Sequence, residues 1–187
     1  MLRQIEEFRK FVAIAGFRDV KINNVEAFIK KVGSQVNSDI AFQFFDARFV
    51  ATWQHLYFAA LKALKAFSNS ENISRNLAIE ILLYASAQRQ IRKAMEILGI
   101  KSNSSEIALL VVGKTAEQAE AALSMIAKSI PGKRDDSVLS LSEDKKKALM
   151  EVFEISDVEL ETMCRGNEEE TIVDLIIERM ALLAVQR

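Results

Sequence analysis

Residues 106–113, EIALLVVG, form the clearest strand pattern in the sequence. After Glu106 the run is entirely apolar until it ends at Gly113. A strand of this composition can be buried on both faces, which is typical of a central position in a sheet. We therefore expect residues 106–113 to be the central strand of the fold.

Three further segments have strand character. RKFVAIAGF (9–17) is β-branched and aromatic and is expected to end near Gly16, while IAFQFF (40–45) is short and apolar. SVLSL (137–141) is expected to be a short fourth strand.

The remaining segments have the apolar spacing of helices. Asn23 precedes Glu26 as in a capping box and opens a helix that Gly33 weakens by about 1 kcal/mol. Asp46 is a candidate cap for a long helix, Thr115 opens another, and the chain from about Ser142 is helical. These elements predict an α/β fold of the mixed α+β kind: a small sheet of about four strands with several packed helices, in a single domain spanning 1–187.

LLYASAQRQIRKAMEILGI (82–100) changes character along its length. The apolar stripe that continues through it is interrupted by the amide of Gln88, and Ser86 is a reasonable N-cap. We predict a buried helix that breaks or kinks near 86–88 and restarts as a more exposed basic helix. An unbroken helix from 75 to 98 would contradict this.

The composition indicates a folded protein. Half of the 187 residues are hydrophobic, 27% are charged and one is proline. The first 140 residues contain 19 Lys and Arg against 14 Asp and Glu, whereas the last 47 contain 6 against 12. A basic body with an acidic end is compatible with an anionic partner. Because no secretory signal or membrane-spanning run is present and one cysteine occurs, we expect a cytoplasmic protein without a disulfide or membrane association.

The sequence offers few groups for catalysis. His55 and Cys164 are the only residues of their types, and a structural role is favoured for the histidine. The scattered glycines form no phosphate-binding loop, and no metal-ligand spacing occurs. The lysines at 145–147 have the spacing of a solvated helix face. We expect no enzyme activity, cofactor or metal.

Two segments are candidates for binding. Arg89 and Lys93 share one helix face, and Arg92 can pair with Glu96. This basic face suits either plain solubility or a polyanionic partner, and lysines on another helix extend it if the two helices are neighbours. The final helix carries a wide apolar stripe that could dock on its own core or on a partner, comprising Ile172, Leu175, Ile176, Met180, Leu183 and Ala184.

The order of elements, together with FFDAR–HLYFAALKA (44–63), LLYASAQRQIRKAMEILGI (82–100) and VDLIIERMA (173–181), resembles a known family. This is the small kinase-binding subunit of the KEOPS complex, the PRPK-binding protein family, in an archaeal type. The likeness extends from the first strand to the last helix, and its most specific parts are the Gln90–Ile100 run and the terminal helix.

The resemblance implies a non-catalytic accessory subunit. Such a subunit binds and stimulates a small atypical kinase/ATPase, within a complex that also holds a threonylcarbamoyl transferase and a dimerising subunit. The complex installs threonylcarbamoyladenosine in tRNA, and the archaeal small subunit helps to capture the single-stranded acceptor end. A free-standing RNA-binding protein and a small enzyme are the alternatives.

The site residues under this resemblance fall into two groups. Among the kinase-facing residues, those of the basic helix are expected to be partly exposed; the set is Ile91, Met95, Leu98, Ile176 and Met180. The tRNA-facing residues are basic and are expected to contact phosphates: Arg89, Arg92, Lys93, Lys62 and Lys65.

Overall fold

The protein folds around an antiparallel sheet, described by a computed structural model for residues 1–164 and 166–183. The strand order is β1-β2-β4-β3, and a short β5 also pairs with β2. The five strands are β1 (Leu2–Ile5), β2 (Lys10–Arg18), β3 (Ala41–Asp46), β4 (Ile107–Gly113) and β5 (Lys133–Arg134).

Helices cover both faces of this sheet. The α-helices are α1 (Val25–Gly33), α2 (Trp53–Ser68), α3 (Leu77–Ala85), α4 (Ile91–Leu98), α5 (Ala116–Ser129), α6 (Glu143–Val152), α7 (Asp157–Met163) and α8 (Glu168–Leu183). Short 3-10 helices occupy Glu6–Phe8, Ala47–Phe49 and Asp136–Leu139. The predicted mixed α/β class is confirmed, and no helix in the described ranges is long and apolar enough to span a membrane.

The central strand β4 is buried along its entire length, as predicted. Its side chains alternate between two apolar clusters. Ala108, Leu110 and Val112 pack in the larger cluster with α2, α3, α4, α6 and α8, whereas Ile107, Leu109 and Val111 face α1 and α5. The strand therefore separates a thick helical layer from a thin one.

The prediction of a strand at SVLSL is wrong. Asp136–Leu139 is a 3-10 helix, and the Asp135 carboxylate accepts a hydrogen bond from the Ser137 N–H at 2.9 Å. This local bond offers the backbone a turn instead of a sheet ladder. The additional strands are β1, in which only Ile5 is buried, and the two-residue β5, so neither carried a strong apolar pattern.

Strand β2 continues through Gly16 to Arg18. Gly16 instead allows a close approach of the Asp136–Leu139 helix, because a Cβ on Gly16 would lie 2.4 Å from a methyl carbon of Val138. The Gly16 N–H donates to the Asp136 carboxylate at 2.9 Å. Asp135 completes the contact by donating its N–H to the Gly16 carbonyl.

Three polar residues are placed differently from expectation. Asp46 accepts hydrogen bonds from the Arg48 N–H, the Arg48 guanidinium and the Ser104 hydroxyl, so it caps the 3-10 helix at 47–49, and α2 begins only at Trp53. Lys145 and Lys146 are each only 8% exposed, so a solvated face is wrong for both. The Lys145 ammonium donates to the carbonyls of Val138 and Ser140, and its burial lowers its pKa to about 8.

The structural role of His55 is confirmed. The side chain is fully buried, and its Nδ1 accepts from the Ala51 N–H at 3.2 Å. Nε2 therefore carries the proton and donates to the Ala85 carbonyl at 2.7 Å, which ties α2 to the end of α3. Burial lowers the pKa of His55 to about 4, so the ring is neutral at physiological pH.

This buried histidine predicts acid sensitivity. An unfolded His55 takes up a proton near pH 6.5, whereas the folded side chain does so only near pH 4, so its contribution is complete above pH 6.5 and is lost as the pH falls. From pH 7 to pH 5 we expect the free energy of unfolding to drop by about 2 kcal/mol, measured by urea denaturation. The His55→Gln variant cannot titrate and should lose this slope; an equal loss in the variant would assign the effect elsewhere.

Candidate interaction surface

The predicted break between α3 and α4 is confirmed, since α3 ends at Ala85 and α4 begins at Ile91. The prediction that Ser86 caps α4 is wrong. Its buried hydroxyl donates backwards to the carbonyls of Leu82 and Leu83, so Ser86 ends α3. Gln90 precedes α4 without a side-chain cap.

The break has the geometry of a Schellman motif. Ala87 has a left-handed φ of 51°, its N–H donates to the Tyr84 carbonyl, and the next N–H, of Gln88, donates to the Leu83 carbonyl. Glycine usually occupies the left-handed position because a Cβ is strained there. Ala87 therefore reverses the chain at a small cost in stability.

Helix α4 presents a mixed basic and apolar face. Ile91 is 46% exposed, Arg92 and Lys93 are exposed beside it, and Met95 is half-buried. Arg92 pairs with Glu96 at 3.5 Å, as its spacing predicted. The part of α4 that the sequence predicted to be more exposed and basic is thus on the surface.

A cleft lies beside the break, between residues 86–88, the end of α6 and the last turn of α8. We call it the break cleft; its lining includes Phe153, Glu154, Arg179, Leu182 and Leu183. The guanidinium of Arg89 donates to the Leu183 carbonyl at 3.3 Å and so links the break to the end of α8. Leu182 is 43% exposed at the cleft.

Three residues expected to face the kinase are inside the protein. Leu98 was expected to be partly exposed, but Leu98, Ile176 and Met180 have no exposed side-chain surface. The apolar stripe of α8 packs against α2 and joins the larger core cluster, which covers these side chains. Ala184, the last member of the predicted stripe, lies outside the described residues.

The two basic groups are on separate helices. Lys62 is half-buried and Lys65 exposed on α2. Helix α3 packs against both α2 and α4, which make few contacts with each other. These lysines would extend the α4 patch only if α2 and α4 packed directly against each other. The two helices do not, so the lysines form a separate group.

Sequence reasoning missed Leu182 as a surface residue. Leu182 is seven residues after the buried Leu175, a spacing that puts both side chains on the same side of the helix, yet Leu182 is 43% exposed. Helical spacing therefore gave no signal that separates the two, and only the packing of the last turn of α8 distinguishes them.

The residues considered for catalysis have other surroundings. Both ring nitrogens of His55 are hydrogen-bonded to backbone groups inside the core. Cys164 is a half-buried free thiol at the end of α7. Within 1–164 and 166–183, no three His, Cys, Asp or Glu side chains come together in a group that could hold a metal ion.

Comparison with known proteins gives two matches. Residues 17–184 match the family described as Kinase binding protein CGI-121. The chain is also 31% identical over 174 residues to the regulatory protein Cgi121 of Methanocaldococcus jannaschii, covering 93% of this chain and 98% of that protein.

The left-handed Ala87 gives a test of the break geometry. We expect Ala87→Gly to raise the free energy of unfolding by up to about 1 kcal/mol, because glycine adopts a left-handed φ without Cβ strain. Ala85→Gly, the same change two residues earlier in helical backbone, should lower it by at least about 1 kcal/mol. Thermal or urea denaturation checks both, and destabilisation by both changes would contradict the Schellman assignment.

Proposed function

The chain belongs to the CGI-121 family of kinase-binding proteins, and from this premise we propose that it is a non-catalytic regulatory subunit of the KEOPS tRNA-modification complex. In this role it binds and stimulates a small atypical kinase/ATPase in the cytoplasm. The threonylcarbamoyl transferase and the dimerising subunit are indirect partners through that kinase. The family's description as kinase-binding and the relative's designation as a regulatory protein support the role.

We place the kinase contact on α4 and the end of α8, on either side of the break between α3 and α4. The observation that carries this proposal is the exposure of two large aliphatic side chains there, Ile91 at 46% and Leu182 at 43%. Exposed apolar patches rimmed by polar residues mark sites of protein interaction. Met95 lies half-buried on the same helix and supplies an adaptable apolar contact.

The buried candidates act differently in this proposal. Leu98, Ile176 and Met180 hold α4 and α8 against the core and so fix the positions of the exposed anchors. Truncating them would lower stability by creating cavities, and kinase affinity would fall only as a consequence. The anchors are therefore the residues with which to test the contact.

Replacing Ile91 or Leu182 by arginine tests the kinase surface. Each change puts a charge where an apolar side chain would be desolvated, so we expect the affinity for the kinase/ATPase subunit to fall about tenfold or more. Isothermal titration calorimetry with the purified kinase measures the effect, and circular dichroism verifies the fold.

The matched control is Met125→Arg. Met125 is 36% exposed on α5, on the opposite face of the sheet, so this change should leave kinase affinity unaltered. Loss of binding in the Met125 variant, with retention in the Ile91 and Leu182 variants, would place the kinase on the other face.

For tRNA we propose that the phosphates meet the basic side of α4. Arg92 and Lys93 are exposed there, and their side chains can reach solvent-facing phosphates without disturbing the core. Arg89 adds positive charge next to them while also binding the Leu183 carbonyl. Lys62 and Lys65, on α2, form a second and separate contact in this proposal.

Charge reversal tests the tRNA surface. We expect the pair Arg92→Glu and Lys93→Glu to weaken tRNA binding several-fold, and the slope of log affinity against log salt to shrink by about 0.7–0.9 for each lost phosphate contact. The matched control is the pair Lys30→Glu and Lys31→Glu, two exposed lysines on α1 across the sheet. Equal losses in both pairs, measured by filter binding over a salt series, would show general charge attraction instead of a defined surface.

A further inference from the structure

Strand β3 lies at one end of the strand order, so only one of its two sides pairs with the sheet. A groove runs along the other side, between α1 and the first turn of α3. We call it the edge groove; its lining includes Ile29, Ala41, Phe42, Gln43, Arg75, Leu77 and Ile79. We propose that this groove binds an extended segment of a partner protein, which adds to the sheet as a further antiparallel strand.

The backbone of Phe42 points into the groove. Ala47 donates its N–H to the Glu106 carbonyl, at the position that continues the β3–β4 register. In an antiparallel ladder this orientation alternates, so the odd-numbered residues 41–45 face β4, and Phe42 and Phe44 face away from it. An incoming antiparallel strand can place one residue opposite Phe42 and exchange two hydrogen bonds with it.

The edge is only partly closed by the protein's own side chains. The Gln43 amide donates to the Phe44 carbonyl at 2.9 Å and so occupies one of the four outward groups of Phe42 and Phe44. Proteins protect exposed sheet edges with charges, prolines, bulges or covering elements. The open run at Phe42 is short, which favours a single strand of limited length.

The walls of the groove suit the side chains of such a strand. Ile29 on α1 and Leu77 and Ile79 on α3 are half-buried, as is Phe42 itself. A strand places alternate side chains on opposite faces of the sheet, so its apolar residues would contact α1 on one face and α3 on the other. The segment should therefore carry apolar residues at consecutive positions, so that both of its faces are apolar.

The charge at the rim favours an acidic segment. Arg75 is exposed and makes no ion pair with residues 1–164 or 166–183, whereas Asp39, which also lines the groove, is neutralised by Lys114. The hydrogen bond from Lys114 holds the pKa of Asp39 below its usual value, so Asp39 stays ionised and paired with Lys114. A carboxylate on the incoming segment would find its counter-charge at Arg75.

An isolated strand fits this edge better than a second copy of the chain. In this protein β3 lies in a groove bordered by helices on both faces of the sheet. A second copy would bring the same two helices to the contact, so α1 and α3 of the two copies would meet before the strands did. A free extended segment carries no such layer and can reach the backbone of Phe42.

The edge groove is separate from the proposed kinase surface. It borders the first turn of α3, whereas the break cleft begins after the last residue of that helix, Ala85. Nine helical residues extend about 14 Å at 1.5 Å per residue, so a strand in the groove leaves α4 open. Occupation of the groove therefore does not compete with a kinase bound at α4.

Short synthetic peptides with valine and isoleucine at consecutive positions, and a glutamate at one end or at the other, are suitable probes for the intact chain. NMR hydrogen exchange should show rapid exchange of the Phe42 amide in the free protein. The peptide whose glutamate lies beside Arg75 when it runs antiparallel to β3 should slow the exchange of the Phe42 amide at least tenfold at saturation. Chemical shift changes should be concentrated on β3 and the first turn of α3.

The Arg75→Glu variant tests the charge at the rim. It should bind the glutamate peptide at least about fivefold more weakly, and should prefer a peptide in which lysine replaces glutamate. Lys147→Glu, at an exposed lysine of α6, is the matched control and should bind the peptide as the wild type does. No protection of Phe42 at millimolar peptide, or equal binding by the Arg75 variant, would overturn the proposal, as would protection that appears with rising protein concentration and no peptide.

Discussion

The burial of β4 on both faces is the constraint on which the rest of the structure depends. A strand with no exposed side chain must be covered twice, and the sequence supplies two helices, α1 and α5, for one face and a larger helical layer for the other. The buried polar groups follow from this arrangement. His55 and Lys145 lie in or beside the thick layer and are satisfied by backbone carbonyls that packing brings to them.

The sequence predicts the three main strands and the break after α3 because each has a strong local signal. The exact ends of several helices carry weaker signals. Helices α2, α3 and α6 end in Schellman motifs with Ser70, Ala87 and Glu154 in the left-handed position, where a glycine would have marked the end. The turn at Asp135, closed by its own side chain, replaced a predicted strand.

The candidate surface was predictable in outline and not in detail. Helical spacing assigns Leu98 to the apolar face of α4 and Met180 to the apolar face of α8. It does not say whether another helix covers that face. In the folded chain α8 lies on α2, so the stripe that looked like a partner surface is core, whereas Leu182, in the last turn of α8, is exposed. Burial of Lys145 likewise depends on the carbonyl of Val138, in a segment that the sequence pattern predicted to be a strand.

The position of β4 between β2 and β3 also affects how the protein can fold as it is synthesised. Both neighbours lie in the first 46 residues, but they do not pair with each other and must await a strand that begins at Ile107. A nascent chain that has emerged only as far as α4 therefore holds two apolar strands without their common partner. Closing this long-range pairing is a slow, entropically costly step, and the exposed strands favour association with chaperones until β4 arrives.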